Sequence, residues 1–148
     1  MNEARPPLRT GPALIRLSTA VGERVLEVRA ASGLSVLQLQ VLRLAANGVL
    51  MSELSGRLGT PKSTMTSAID QLESMGLAAR ASDEEDRRRQ VVRNTADGEA
   101  RLREFDRALA VRIDDLLSSL SPAQARRLRE LTGKLPGATA PIPLAGLR

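Results

Sequence analysis

The chain lacks cysteine, histidine, tryptophan and tyrosine, and phenylalanine occurs once in its 148 residues. Without cysteine there can be no disulfide, no thiolate metal site and no switch by cysteine oxidation. Without histidine as well, no Ser–His–Asp or Cys–His arrangement can form, and the sequence holds no glycine-rich phosphate loop. We therefore predict that the protein is not an enzyme and that it holds neither a metal ion nor another cofactor.

Aromatic residues make up 1% of the chain, which leaves Leu, Val, Ile, Ala and Met to build the core. An aliphatic core favours helices, because β-rich domains usually draw on aromatic side chains. The scarcity of aromatic rings also argues against a stacking platform for single-stranded nucleic acid. No apolar run is long enough to span a membrane and no signal peptide opens the sequence, so we expect a cytoplasmic protein with one globular domain.

The formal net charge is +5, and nearly all basic residues are arginines, with Lys62 and Lys134 the two exceptions. Arginine makes bidentate contacts with phosphate and guanine, so this bias suits a nucleic-acid partner. The alternative is a genome of high G·C content, which would enrich arginine in every protein. A net charge of this size predicts by itself only a modest attraction to polyanions.

Helical patterns flank the central part of the chain, inside a short arm and a short tail. Residues 1–12 are rich in proline and are expected to form a flexible arm, and residues 136–148 form a Pro/Gly-rich tail. Between them, apolar residues recur at helical spacing over 13–33 and 96–135. These stripes exceed what one small domain can cover, so we predict two dimerisation segments; the alternative is a helical pair within one chain. The predicted dimer interface consists of Leu14, Leu17, Val21, Leu109, Ile113, Leu116 and Leu120.

Capping residues mark the predicted helix ends. Ser35 with Gln38 and Ser121 with Gln124 have the spacing of a capping box. Thr60 before Pro61 predicts an N-cap followed by proline at the first helical position. Glycines close the predicted helices at Gly33, Gly48, Gly59 and Gly76.

The central segment, 34–95, has the order of a winged helix-turn-helix. A short helix over 52–58 is followed by a glycine turn and a second helix over 61–75, whose apolar stripe is Met65, Ala68, Ile69 and Leu72. Strands are predicted at 77–81 and 90–93, and the loop between them is almost entirely charged and cannot be buried. We therefore predict a mainly α fold with a small β-hairpin wing, in which one helix enters the major groove of DNA and the wing enters the minor groove.

The outer face of the second helix and the wing supply the candidate DNA contacts. Hydroxyl side chains can bond phosphate oxygens or base edges, and the positive end of a helix favours phosphate. The alternative is that these hydroxyls only cap the helix and that the loop is a solvated set of neutralising charges. The predicted DNA-binding residues are Pro61, Lys62, Ser63, Thr64, Thr66, Ser67 and Gln71 in the helix and Asp86, Arg87, Arg88 and Arg89 in the wing.

Three segments together resemble the MarR (multiple-antibiotic-resistance regulator) family of bacterial transcription factors. They are S-E-L-S-G-R-L-G, S-T-M-T-S-A-I-D-Q-L-E-S-M-G-L, and D-E-E-D-R-R-R followed by T-A-D-G. The resemblance implies a homodimeric repressor on a near-palindromic operator, with Arg88 in the minor groove and Asp86 bracing its guanidinium. The sequence departs from the family pattern at Met51, at Leu77-Ala78-Ala79 and at Asn94, and we expect these departures to loosen the wing.

The resemblance also implies a small anionic effector that binds between the dimerisation helices and the DNA-binding lobes and releases the DNA. By position, its pocket would be lined by Leu14, Leu17, Leu37, Val41, Leu54 and Phe105, with Arg16, Arg43 and Arg112 as candidate anion partners. The competing hypothesis is a winged-helix module that binds protein partners and no operator. The acidic residues beside the wing and the apolar residues of the tail would suit that module.

Overall fold

The computed structural model of the chain describes residues 10–83 and 86–134. In these residues the elements are α1 (Thr10–Ser32), α2 (Val36–Leu44), β1 (Val49–Leu50), α3 (Met51–Leu58), α4 (Lys62–Ser74), β2 (Ala78–Ser82), β3 (Gln90–Asn94), α5 (Ala96–Leu116) and α6 (Pro122–Thr132). The strands form one antiparallel sheet in the order β1-β3-β2. The prediction of a mainly α fold with a β-hairpin wing is confirmed.

The outer helices have different limits from those predicted. α1 already begins at Thr10, because Pro12 lies in the first turn, where a missing N–H costs no helical hydrogen bond. α5 ends at Leu116 rather than near Leu120. The chain then reaches the extended conformation of Ser121, as the residue before a proline requires. Residues 1–9 of the predicted arm and the predicted tail 136–148 lie outside the described residues.

Both predicted capping boxes are confirmed. The backbone N–H of Gln38 donates to Ser35 Oγ at 3.1 Å, and the backbone N–H of Ser35 donates to Gln38 Oε1 at 2.7 Å. Ser121 and Gln124 make the same reciprocal pair at the start of α6. Each box satisfies donors that a helix N-terminus otherwise leaves unpaired.

The predicted start of α4 is wrong by one residue. Pro61 is the cap residue, with ψ of 143°, and the helix begins at Lys62. Thr60 does not cap the helix, since its hydroxyl donates to the carbonyl of Leu58 at 3.1 Å. Gly59 supplies the left-handed turn between α3 and α4, with φ of 58°.

The sheet has one strand more than the sequence pattern predicts. β1 contains only Val49 and Leu50, which pair with Val92 and Val91 of β3. Two residues are too few to produce a recognisable alternation of polar and apolar side chains. The hairpin strands are Ala78–Ser82 and Gln90–Asn94, so each ends one residue later than predicted.

The core lies between α2, α3, α4 and the sheet, and α1 and α5 are packed onto it. The whole predicted stripe of α4 is buried, and Val25 and Phe105 are the points where α1 and α5 enter the core. The largest fully buried side chains are aliphatic or Met: Leu39, Val41, Leu42, Leu54, Met65, Ile69, Leu72 and Val92. This core fixes the orientation of α4 and leaves its opposite face to solvent.

Thr95 connects the wing to α5. Its hydroxyl accepts a hydrogen bond from the backbone N–H of Gly98 at 3.0 Å and donates to the carbonyl of Gly76 at 2.6 Å. Its backbone N–H donates to the carbonyl of Leu77 at 3.1 Å. The N-cap of α5 is therefore also the residue that holds the two ends of the hairpin together.

Within residues 10–83 and 86–134, no single helix is long and apolar enough to span a membrane; one bent pair, Gly11–Ser32 with Val36–Asn47, meets the criteria by length and composition alone. The same residues contain no group of three or more acidic side chains placed to hold a metal ion.

Candidate nucleic-acid interface

The outward face of α4 is the largest part of the candidate interface. All seven residues predicted on this helix to bind DNA are exposed: Pro61, Lys62, Ser63, Thr64, Thr66, Ser67 and Gln71. They are exposed because the opposite face, from Met65 to Leu72, is anchored in the core. The helix therefore presents its first two turns, including the backbone N–H groups of the first turn that have no partner within the helix, to a ligand outside the domain.

Some of these side chains already have partners within the chain. The Thr66 hydroxyl donates to the carbonyl of Lys62 at 2.9 Å, and Gln71 Oε1 accepts from Gln38 Nε2 at 2.9 Å. In the described part of the chain, the hydroxyls of Ser63 and Ser67 make no such bond. Serines at these positions can hydrogen-bond phosphate or base edges without losing an internal contact.

The tip of the wing is a tight turn built around Asp86. Its carboxylate accepts a hydrogen bond from the backbone N–H of Arg88 at 3.0 Å, and its carbonyl accepts from the backbone N–H of Arg89 at 2.8 Å. At the base of the turn, the N–H of Asp83 donates to the carbonyl of Arg89 at 2.9 Å. Asp86 thus shapes the turn through the backbone of Arg88, whereas the resemblance implied contact with its guanidinium.

The three wing arginines differ in their surroundings, although all are exposed. Arg89 Nε lies 3.9 Å from Asp83 Oδ2, a long ion pair at the base of the loop. Arg87 and Arg88 form no ion pair with any residue that the structure describes. Their guanidinium groups are therefore available to an anionic partner, and Arg88 lies on the side of the wing that faces α4.

A groove of about 360 Å³ brings the helix and the wing together. It is lined by Met51, Ser52, Ser55, Lys62, Thr66, Arg88, Arg89 and Gln90. Sequence reasoning found the cations of this groove but missed Ser52 and Ser55 of α3. The helix-turn-helix order could have indicated them, because the first helix of that motif crosses the DNA backbone.

Arg80 is a third residue that sequence reasoning missed. It lies in β2, and its guanidinium contacts Asp70 and Glu73 of α4 rather than solvent. An arginine in a strand next to a charged loop gives no signal that distinguishes it from a surface cation. Only the fold shows that it connects the wing to α4.

Comparison with known proteins identifies a family that part of the chain resembles. A sequence profile described as the MarR family matches residues 32–89, which hold α2 to α4, β1, β2 and the wing turn. Over these residues the chain is similar to the MarR family. Members of this family are transcriptional regulators and not enzymes. No curated protein matches the sequence significantly.

Several solved structures share the fold. Wild-type MarR from E. coli is similar with a TM-score of 0.69 and 22% identity, over 90% of this chain and 98% of that one. The regulator Tm0710 from Thermotoga maritima has a TM-score of 0.71 and 25% identity, over 84% and 92%. CouR from Rhodococcus jostii RHA1, solved bound to p-coumaroyl-CoA, has a TM-score of 0.61 and 22% identity, over 91% and 95%.

The outer helices, α1 and α5, carry apolar side chains that are exposed in the single chain. Leu14 is 48% exposed, Ile15 is 67% exposed and Val111 is 56% exposed. The other residues predicted for a dimer interface are half-buried: Leu17, Val21, Leu109, Ile113, Leu116 and Leu120. Exposed apolar surface of this kind on two adjacent helices indicates an interaction site.

A cavity of about 200 Å³ lies between α1 and α5. It is lined by Glu27, Val28, Ala31, Ser32, Arg101, Glu104, Phe105, Ala108 and Arg112. Of the residues predicted for an effector pocket, Phe105 lines this cavity, Val41 and Leu54 are fully buried in the core, and Leu17 and Leu37 are half-buried. Arg112 makes no ion pair in the described part of the chain, whereas Arg43 is paired with Asp106.

Proposed function

We propose that the protein is a homodimeric repressor that binds a near-palindromic operator in double-stranded DNA. The observation that carries this proposal is the shared groove between α4 and the wing, where Lys62, Arg88 and Arg89 lie together with Ser52 and Ser55 of α3. Cations and hydroxyls at a helix N-terminus suit a phosphate backbone. The exposed turn beyond them has the shape of a minor-groove probe.

In this proposal α4 lies in the major groove. Thr64, Ser67 and Gln71 are exposed along it and would face base edges, while Lys62 contacts phosphate. Arg88 enters the minor groove at the flank of the site, where a narrow A·T-rich groove has a strong negative potential. Acidic residues near the wing limit nonspecific attraction, so specificity depends on a few contacts.

Dimerisation follows from the apolar faces of α1 and α5. A second copy of the chain would cover Leu14, Ile15 and Val111, which one chain leaves exposed. A two-fold axis between the outer helices would place two copies of α4 one helical turn of DNA apart. An operator with two nearly identical, inverted half-sites would match this two-fold symmetry.

We propose that a small-molecule effector binds in the cavity between α1 and α5, rather than among most of the residues predicted from the sequence. Val28 and Phe105 give the cavity an apolar part, and Arg112, which forms no ion pair within the described residues, could bind a carboxylate. CouR was solved with an anionic aromatic thioester bound, which supports a ligand of that chemical class. Such a ligand would release DNA only by binding more tightly to the DNA-free arrangement of the dimer.

Fluorescence anisotropy with labelled duplex DNA from the region upstream of the protein's own gene tests the proposal. We expect saturable binding at two protomers per site, with an affinity well above that for a random duplex of equal length. A titration with p-coumarate, followed by the same signal, tests release. Equal affinity for both duplexes would contradict binding near its own gene, and a genome-wide binding selection that also recovered no site would favour a protein-binding module.

A further inference from the structure

Arg80 of β2 contacts α4 through both its side chain and its backbone. Its Nη2 lies 2.7 Å from Asp70 Oδ1 and 3.3 Å from the carbonyl oxygen of Thr66. Its Nη1 lies 2.5 Å from Glu73 Oε2, and its backbone N–H donates to Glu73 Oε1 at 2.8 Å. The side chain is 19% exposed, so most of the guanidinium is removed from water.

The partners of Arg80 lie on one strip of α4. Thr66, Asp70 and Glu73 are spaced by one turn each, next to the exposed residues that are proposed to contact DNA. Three acceptors occupy the planar fork of the guanidinium, and a lysine could not satisfy them with the same geometry. These contacts use three of the five N–H donors of the guanidinium and turn both of its Nη groups toward α4.

The contacts also define the relative placement of two DNA-contacting parts. Arg80 pairs with Val92 in the hairpin, and the same two strands continue to the turn that carries Arg88. A rotation of the hairpin away from α4 would break the contacts of Arg80 with both carboxylates. The hairpin is also held through β3, where β1 pairs with Val91 and Val92 and Asn94 Nδ2 donates to the Leu42 carbonyl at 2.8 Å, whereas the contacts of Arg80 tie β2 to α4.

We propose that Arg80 is a positioning residue for DNA binding. This inference rests on the proposed function. Arg80 fixes the angle between the wing and α4, so that Arg88 reaches the minor groove while α4 occupies the major groove. Arg80 acts through Arg88 and touches no DNA itself. It also neutralises Asp70 and Glu73, which would otherwise repel the nearby phosphates.

A double-mutant cycle between Arg80 and Arg88 tests the proposal. Arg80→Met keeps the apolar stem and removes the fork. We expect it to weaken operator binding about tenfold when Arg88 is present and by less than about twofold in the Arg88→Ala background, because coupled residues give non-additive losses. Arg80→Lys should recover only part of the loss. Equal losses in the two backgrounds would overturn the positioning role.

The variant Arg80→Met/Asp70→Asn/Glu73→Gln separates positioning from charge. If Arg80 merely screens two carboxylates from phosphate, removal of their charge restores operator affinity and the proposal is wrong. If Arg80 positions the wing, this variant stays about as weak as Arg80→Met. Because it buries no unpaired carboxylate, it also keeps the test valid if Arg80→Met alone fails to fold, which circular dichroism would reveal.

Hydroxyl-radical footprinting of the same variants adds a spatial readout. In Arg80→Met we expect loss of the minor-groove protection given by the wing, with the protection centred on α4 retained. A uniform weakening of the whole footprint would contradict the proposal. If the wild-type protein binds no operator at all, the proposed function fails, and this inference fails with it; operator binding with an additive cycle refutes the inference alone.

Discussion

Gly98 approaches the carbonyl oxygen of Leu77 so closely that a β-carbon on Gly98 would lie 1.9 Å from that oxygen. Gly98 is in the first turn of α5, and Leu77 precedes the first strand of the wing. The same carbonyl accepts the backbone N–H of Thr95. The start of α5 and the base of the wing are thus in backbone contact, and only glycine permits it.

Gly98→Ala should therefore destabilise the protein although alanine favours helices. The added methyl must displace backbone, and we expect a loss of about 2–4 kcal/mol in the free energy of unfolding. Gly56→Ala is the matched control, because a β-carbon there meets no atom within 4 Å. That change should stabilise α3 by up to about 1 kcal/mol. Urea denaturation followed by circular dichroism measures both, and equal stabilities would refute the argument.

The close approach of Gly98 also illustrates which features the sequence could predict. The apolar stripe of α4 and the capping boxes at Ser35 and Ser121 are local patterns, and the structure confirms them. The contact between Gly98 and Leu77 joins two elements across the hairpin, so no local pattern encodes it. β1 escaped prediction for a related reason, because its two residues become a strand only by pairing with β3.

In the candidate site, too, some features could be predicted from the sequence and others depend on the fold. Exposure of the α4 face follows from helical periodicity, and the sequence alone predicted Lys62 and Arg88, which are exposed, as part of the candidate site. The role of Arg80 depends on the approach of β2 to α4, which no spacing in the sequence reveals. The cavity between α1 and α5 likewise arises from the packing of helices distant in sequence.

Gln38 should matter more to stability than its counterpart Gln124, although both complete a capping box. Gln38 is buried and also donates to Gln71 of α4, whereas Gln124 is exposed and has no further partner in the described residues. We expect Gln38→Ala to cost about 1–3 kcal/mol, because it leaves polar groups without partners near the core. Gln124→Ala should cost about 0.5 kcal/mol. Thermal unfolding of the two variants compares them, and an equal effect would contradict the assignment.

Leu14→Glu should impair the dimer without harming the single chain. Leu14 is 48% exposed in one chain, so a charge there costs little unless a second copy covers it. In a dimer the same charge would be buried against an apolar partner, which should weaken association at least about tenfold. Sedimentation velocity over a range of concentrations measures the change. Ala30→Glu, on the opposite side of α1 and also exposed, is the control that should leave association unchanged.

The salt dependence of operator binding should reflect a small number of cationic contacts. For the wild-type dimer we expect the logarithm of the association constant to fall with the logarithm of the salt concentration, with a slope of roughly −4 to −8. Each neutralised phosphate contributes about −0.9 to this slope. Arg88→Ala should weaken operator binding by about 1–3 kcal/mol per protomer, because each wing loses a free guanidinium in the groove. Arg107→Ala provides the control, since Arg107 is exposed on α5 and forms no ion pair in the described residues. Anisotropy titrations at several salt concentrations give both quantities; a slope near zero, or equal losses from the two variants, would show that the wing does not bind DNA.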